Sequence, residues 1–147
     1  MEDADYMEQA LLLAREAARE GEVPVGCVIV RGGEIVGRGR NRRESDKSAL
    51  AHAELEAIAQ ANKALGGWRL WDCTLYVTLE PCPMCAGAII NARIPTLVFG
   101  AREALTGSCG SVIDLFSENY GHHPAVYAGV LGEDCARLLK DFFQGRR

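Results

Sequence analysis

The chain has 147 residues, 48% of them apolar and 24% charged, enough apolar content for one domain to bury a core and too much for a disordered chain. Its formal net charge of −4 excludes a domain that coats phosphate backbone through overall basicity, so any nucleic acid must be held by local patches. The acidic residues 1–5 and the short apolar run 10–14 resemble neither a signal peptide nor a membrane span, and a cytoplasmic protein is the expectation.

In chain order, residues 7–20 carry Met7, Ala10, Leu11, Ala14, Ala17 and Ala18 at helical spacing, and Gly21 closes the helix. Residues 25–30 and 34–40 read as two strands joined by the Gly32-Gly33 turn. A helix is expected over 49–65, ended by Gly66-Gly67. A strand over 74–79 precedes a helix over 83–92, with Pro83 at the first helical position, where a missing N–H has no consequence. A short strand over 96–100, a helical stretch over 108–117, a last strand over 125–128 and an amphipathic helix over 133–143 complete the order. That order implies a single domain, residues 1–147, of the α/β class: a mixed sheet with helices on both faces.

The chemistry is carried by His52-Ala53-Glu54 and Pro81-Cys82-Pro83-Met84-Cys85, each at an expected helix start. Cys82 and Cys85 are three apart, so on a first helical turn both sulfurs reach one ion. A helix N-terminus favours the thiolate. His52 supplies a third ligand, and a catalytic zinc site has three protein ligands and an open fourth position. Glu54, two residues from His52, reaches the same ion only from a helix end, where it can serve as general acid and base toward a water whose pKa zinc lowers. A structural zinc site would need a fourth ligand, for which only His122 and His123 offer further imidazoles. The other cysteines, Cys27, Cys73, Cys109 and Cys135, read as buried packing residues.

With those residues in place, the chain resembles the bacterial tRNA-specific adenosine deaminases along nearly its whole length. The resemblance runs through Val23-Pro24-Val25-Gly26, Asn41-Arg42, Ala51-His52-Ala53-Glu54, the stretch from Thr74 through Cys85 to Ala88, Phe99-Gly100-Ala101-Arg102, Thr106-Gly107, Gly129-Val130-Leu131 and Asp141-Phe142-Phe143. It implies a cytidine-deaminase-like three-layer α/β/α sandwich around a five-stranded mixed sheet, one Zn²⁺ per subunit, a homodimer, and a tRNA anticodon stem-loop as partner. It further implies that Asn41 hydrogen-bonds a flipped base, that Val25 and Leu79 line its slot, and that the Ala53 N–H faces it. Glu103 stands where the family has Asp, and Leu105 where a basic residue is common. Gly121-His122-His123-Pro124 replaces the family's Asn-His, so either His122 or His123 takes that substrate-side place.

Arg38, Arg40, Arg42, Arg43, Arg102, Arg146 and Arg147 are the candidates for phosphate contact. Trp68 and Trp71 are expected to pack in the core or at a dimer contact rather than to stack on bases. The implied reaction is hydrolysis of the wobble adenosine to inosine. Two rivals share the metal site: a free-base or nucleoside deaminase of guanine or cytosine type, and a zinc-stabilised module that holds RNA without altering it.

Overall fold

The computed structural model describes residues 1–145. Helix α1 (Asp3–Arg19) leads into strands β1 (Gly26–Arg31) and β2 (Glu34–Arg40); helix α2 (Ala53–Leu65), strand β3 (Thr74–Leu79), helix α3 (Pro83–Ala92) and strand β4 (Thr96–Ala101) follow. A 3-10 turn (Leu115–Ser117), strand β5 (Ala125–Ala128) and helix α4 (Gly132–Gln144) complete the order. The five strands form one sheet in the order β2-β1-β3-β4-β5. Strand β1 is antiparallel to β2 and β3, whereas β3, β4 and β5 run parallel, so the sheet is mixed as expected.

Side-chain alternation along the strands divides the core in two. Cys27, Ile29, Leu75, Val77, Leu97 and Phe99 face α2 and α3, packing on Ala57, Ala61, Ala86 and Ile89. Val28, Val30, Tyr76 and Val98 face the other way, onto Tyr6, Met7, Ala10 and Leu11 of α1 and Cys135 of α4. The result is three layers. Cys27, Cys73, Cys109 and Cys135 are all buried and unbridged, as packing thiols should be.

Helix α2 lies unusually close to the sheet. A Cβ on Gly39 of β2 would stand 2.1 Å from the Ala53 carbonyl oxygen, and one on Gly37 would stand 2.3 Å from that of Ala57. Only glycine permits this approach, and it brings the first turn of α2 against the sheet.

Several expectations need correction. Helix α1 begins at Asp3 rather than Met7, because Asp5 accepts the Glu2 N–H at 2.8 Å and caps the end. Helix α2 begins at Ala53, four residues later than expected, because His52 is extended (ψ 151°) and acts as its N-cap. The helical stretch over 108–117 is absent apart from the 3-10 turn. Its amides at Cys109 and Ser111 are taken by the Glu80 carboxylate instead of a helical ladder. Trp68 and Trp71 are 51% and 68% exposed, so neither belongs to the core. Among the described residues no helix is long and apolar enough to cross a membrane.

Candidate active site

Two helices begin at one point. His52 is the N-cap of α2 and Cys82 the N-cap of α3, with Pro83 following at the first helical position. Both ligand-bearing residues are therefore extended, and their side chains project off the helix ends instead of lying along them. His52 Nδ1 lies 3.7 Å from Cys82 Sγ and 3.6 Å from Cys85 Sγ. Each of the three residues offers a ligand atom within 4.8 Å of the others.

These distances test the donor set. Zinc with Zn–S near 2.3 Å and Zn–N near 2.1 Å in tetrahedral geometry requires N···S edges of about 3.6 Å. The cluster meets that requirement for both thiol ligands. A nitrogen and two sulfurs suit a soft-to-borderline dication and leave one tetrahedral position for water or substrate.

Local electrostatics fit the same purpose. The hydrogen bond from Cys85 is the main cause that lowers the Cys82 thiol to about 4, with His52 adding to it. Donation to Cys82, then burial, hold the Cys85 thiol far above its usual range. The two thiols are therefore unequal, Cys82 the more acidic, and a dication held between them would favour the thiolate of both. The hydrogen bond with Cys82 also raises His52. Glu54, in the first turn of α2, is 4% exposed; burial raises its carboxyl to about 7, the Cys82 charge pushes the same way, and its own amide and His52 oppose.

His52 and Cys82 of the cluster open onto a pocket of about 160 Å³ that is also lined by Val23, Val25, Asn41, Arg43, Ala53, Glu54, Leu79, Glu80, Glu103 and Thr106. An apolar cavity of about 150 Å³ takes a benzene ring, so this space suits one planar ring system. Val25, Asn41, Ala53, Leu79 and Glu103, all singled out in the sequence, come together on its wall. Asn41 is held by its own neighbourhood. Its Nδ2 donates to the Val23 carbonyl at 3.2 Å and its Oδ1 accepts the Arg43 amide at 3.1 Å, leaving one N–H and one lone pair over.

Other candidates stand elsewhere. His122 bonds the Ile94 carbonyl and His123 that of Phe116, each at 2.7 Å, so both imidazoles tie down the chain before β5 and neither lines the pocket. Arg42 is paired with Glu56 at 2.6 Å, and Arg40 with Glu20 at 2.8 Å and Glu16 at 3.5 Å. Those guanidiniums spend their charge inside the protein. Arg43 faces the pocket, and Arg102 is exposed, lying over the Phe99 ring. Arg146 and Arg147 lie outside the described residues. Sequence reasoning missed Val23, Glu80 and Thr106 on the pocket wall. All three fall within motifs already noted, but their residue types announce no chemistry.

The model of the MafB19-like deaminase family matches residues 1–147. The tRNA-specific adenosine deaminase of Bacillus subtilis (strain 168) is 46% identical over 147 residues, 99% of this chain and 91% of that protein. A solved structure described under A-to-I editing by tRNA:A34 deaminases at the wobble position superposes with a TM-score of 0.87 at 43% identity, over 91% of this chain and 98% of that one. Guanine deaminase from Bacillus subtilis superposes with a TM-score of 0.68 at 38% identity, over 80% of this chain and 74% of that one.

Proposed function

The chain belongs to the MafB19-like deaminase family, and from that membership we propose that it hydrolyses the wobble adenosine of a tRNA anticodon loop to inosine, releasing ammonia. The observation that carries the reading is the meeting of two helix N-termini at one base-sized pocket, which sets Glu54 beside a zinc-type donor set. His52, Cys82 and Cys85 would hold one Zn²⁺ per subunit. Bound there, the ion would lower the pKa of water toward neutrality and so supply the nucleophile at ordinary pH.

The chain's own residues do the rest. Val25 and Leu79 supply apolar lining for a flipped base. Asn41, fixed by Val23 and Arg43, has one donor and one acceptor free for a purine edge. The Ala53 N–H, at the first position of α2, has no helical acceptor, and Ala53 lines the same pocket, so this amide is available to a base held there. Glu54 carries the protons. Its buried carboxyl, raised by desolvation, can pass one proton from the attacking water to the ring nitrogen and then a second, from the added hydroxyl, to the departing amine, which leaves as ammonia.

A tRNA substrate is supported by the full-length likeness to tRNA deaminases. A free-base reading has one specific observation behind it: Arg40 and Arg42 are neutralised by the protein's own carboxylates, which thins the basic edge that RNA requires. A homodimer is a further part of the proposal. An open groove along α3, lined by Leu55, Pro83, Met84, Gly87, Ala88, Ile90, Asn91, Leu115 and Tyr120, offers a largely apolar face on which a second copy could seat. The test of function is ammonia release by zinc-loaded protein on a wobble-adenosine stem-loop, compared with free adenosine, cytidine and guanine. Inosine formed on the stem-loop alone is the expected result; turnover of a free base with the stem-loop inert would move the protein to the small-molecule branch.

A further inference from the structure

Glu80 follows the last residue of β3, immediately before the turn that bears Cys82, and is 2% exposed. Its Oε1 accepts the Glu103 N–H at 3.0 Å and the Ser111 hydroxyl. Its Oε2 accepts the amides of Cys109 at 3.0 Å and Ser111 at 3.1 Å. Among the described residues no ion pair involves Glu80. Backbone hydrogen bonds close the same ring, from Ser108 N–H to the Pro81 carbonyl at 2.9 Å and from Glu80 N–H to the Ala101 carbonyl at 2.8 Å.

All four donors to this carboxylate, three backbone amides and one hydroxyl, come from one irregular stretch, residues 103–111. The wrap is tight: a Cβ on Gly107 would stand 2.5 Å from Glu80 Cδ and 2.6 Å from Oε1. What the stretch gives to the site is Glu103 and Thr106, which form one side of the pocket. Glu103 is itself fixed, accepting the Leu105 N–H at 2.9 Å.

We propose that Glu80 is a positioning residue for substrate: its carboxylate pins the 103–111 stretch to the end of β3 and thereby sets the wall formed by Glu103 and Thr106. The role rests on the deaminase reading of the pocket. It is a carboxylate's task. Four donors converge on two oxygens that carry only acceptor sites, whereas a glutamine would turn its NH₂ toward two of those donors. All four donors lie on the substrate-side stretch and none on residues 82–85, so the side-chain contacts of Glu80 run to the pocket wall, of which Glu80 is itself a part.

The experiment compares zinc-loaded wild type, Glu80→Gln and Ser111→Ala on the wobble-adenosine stem-loop, and measures zinc content and amide exchange on the same samples. Glu80→Gln is expected to raise KM about 10-fold or more with kcat changed less than about 3-fold, and Ser111→Ala to shift KM the same way by less. Zinc content stays as in wild type. Exchange at the amides of Glu103, Cys109 and Ser111 quickens about 10-fold or more in Glu80→Gln while the amides of α3 keep their protection. Loss of kcat or zinc at unchanged KM would overturn the proposal, and so would unchanged exchange in the loop. Where Glu80→Gln does not fold, Ser111→Ala decides by the same readings. A wild type inert on the stem-loop but active on a free base sinks the tRNA reading alone, because exchange and the KM for that base still decide the role of Glu80.

Discussion

Glu54 and Arg43 are the two side chains whose removal separates chemistry from binding. Replacing Glu54 by Ala is expected to lower turnover about 10²- to 10⁴-fold, the usual worth of a general acid and base, while the protein still retains its zinc. Metal analysis beside single-turnover assays checks this, and zinc lost along with activity would make Glu54 part of the metal centre. Arg43→Ala is expected to weaken stem-loop binding and to reduce the slope of log affinity against log salt by about 1. Arg42→Ala should leave that slope unchanged, since the Arg42 guanidinium already bonds Glu56 at 2.6 Å. The sequence grouped the two arginines as equals. Their difference depends on a carboxylate 14 residues away on another element, which no local spacing reveals. His122 and His123 teach the same lesson from the other side: their type suggested a site, but backbone carbonyls hold both rings.

At the scale of elements, the metal cluster is only as good as the seating of α2. Gly39→Ala would drive a methyl group into the Ala53 carbonyl, at 2.1 Å, and push away the turn that carries His52 and Glu54. The expected loss is about 1–3 kcal/mol of stability together with weaker zinc retention, read by denaturant unfolding and by competition with a chelator. A stable variant with normal zinc affinity would mean that α2 slides without consequence. A second test concerns the end of α1. Glu22 is 1% exposed and accepts the amides of Glu44 at 3.0 Å and Ser45 at 2.7 Å, fixing the chain just after Asn41 and Arg43. Burial raises its carboxyl, but these bonds outweigh burial and the net displacement is downward. A lowered carboxyl stabilises the fold above its unfolded pKa and loses that contribution as pH falls through the folded value. Glu22→Gln should therefore be about 1–3 kcal/mol less stable near pH 7, with the gap to wild type narrowing below about pH 4. A gap constant with pH would count against the ionised carboxylate. The start of α2 was read four residues early because residues 49–52 suit a helix by composition, whereas the start of α3 after Cys82, the strand sequence and the two-sided core were legible, because periodicity and caps are local. The loop over 108–117 was not, because its apolar and small residues suit a helix while its amides answer to Glu80.

For the whole molecule, the groove lined by Leu55, Met84, Ala88 and Ile90 should vanish in solution if two copies pair across it. Sedimentation at twice the chain mass is expected for wild type, and Leu55→Arg should shift the protein toward monomer; a wild type that stays monomeric at micromolar concentration would remove the dimer from the proposal. The sheet also has two functionally different ends. Its parallel strands β3 and β4 end toward the pocket, which Leu79 and, two residues past the end of β4, Glu103 line, whereas Trp71 precedes the start of β3 and Trp68 packs by Asn62 and Arg93 at the far ends of α2 and α3. A helix of 13 residues separates that end from His52, a distance of about 20 Å. Both of the protein's indoles are therefore remote from the chemistry. Their ultraviolet emission offers an optical gauge of the helix C-terminal end of the molecule, blind to an occupant of the pocket unless that end is disturbed too.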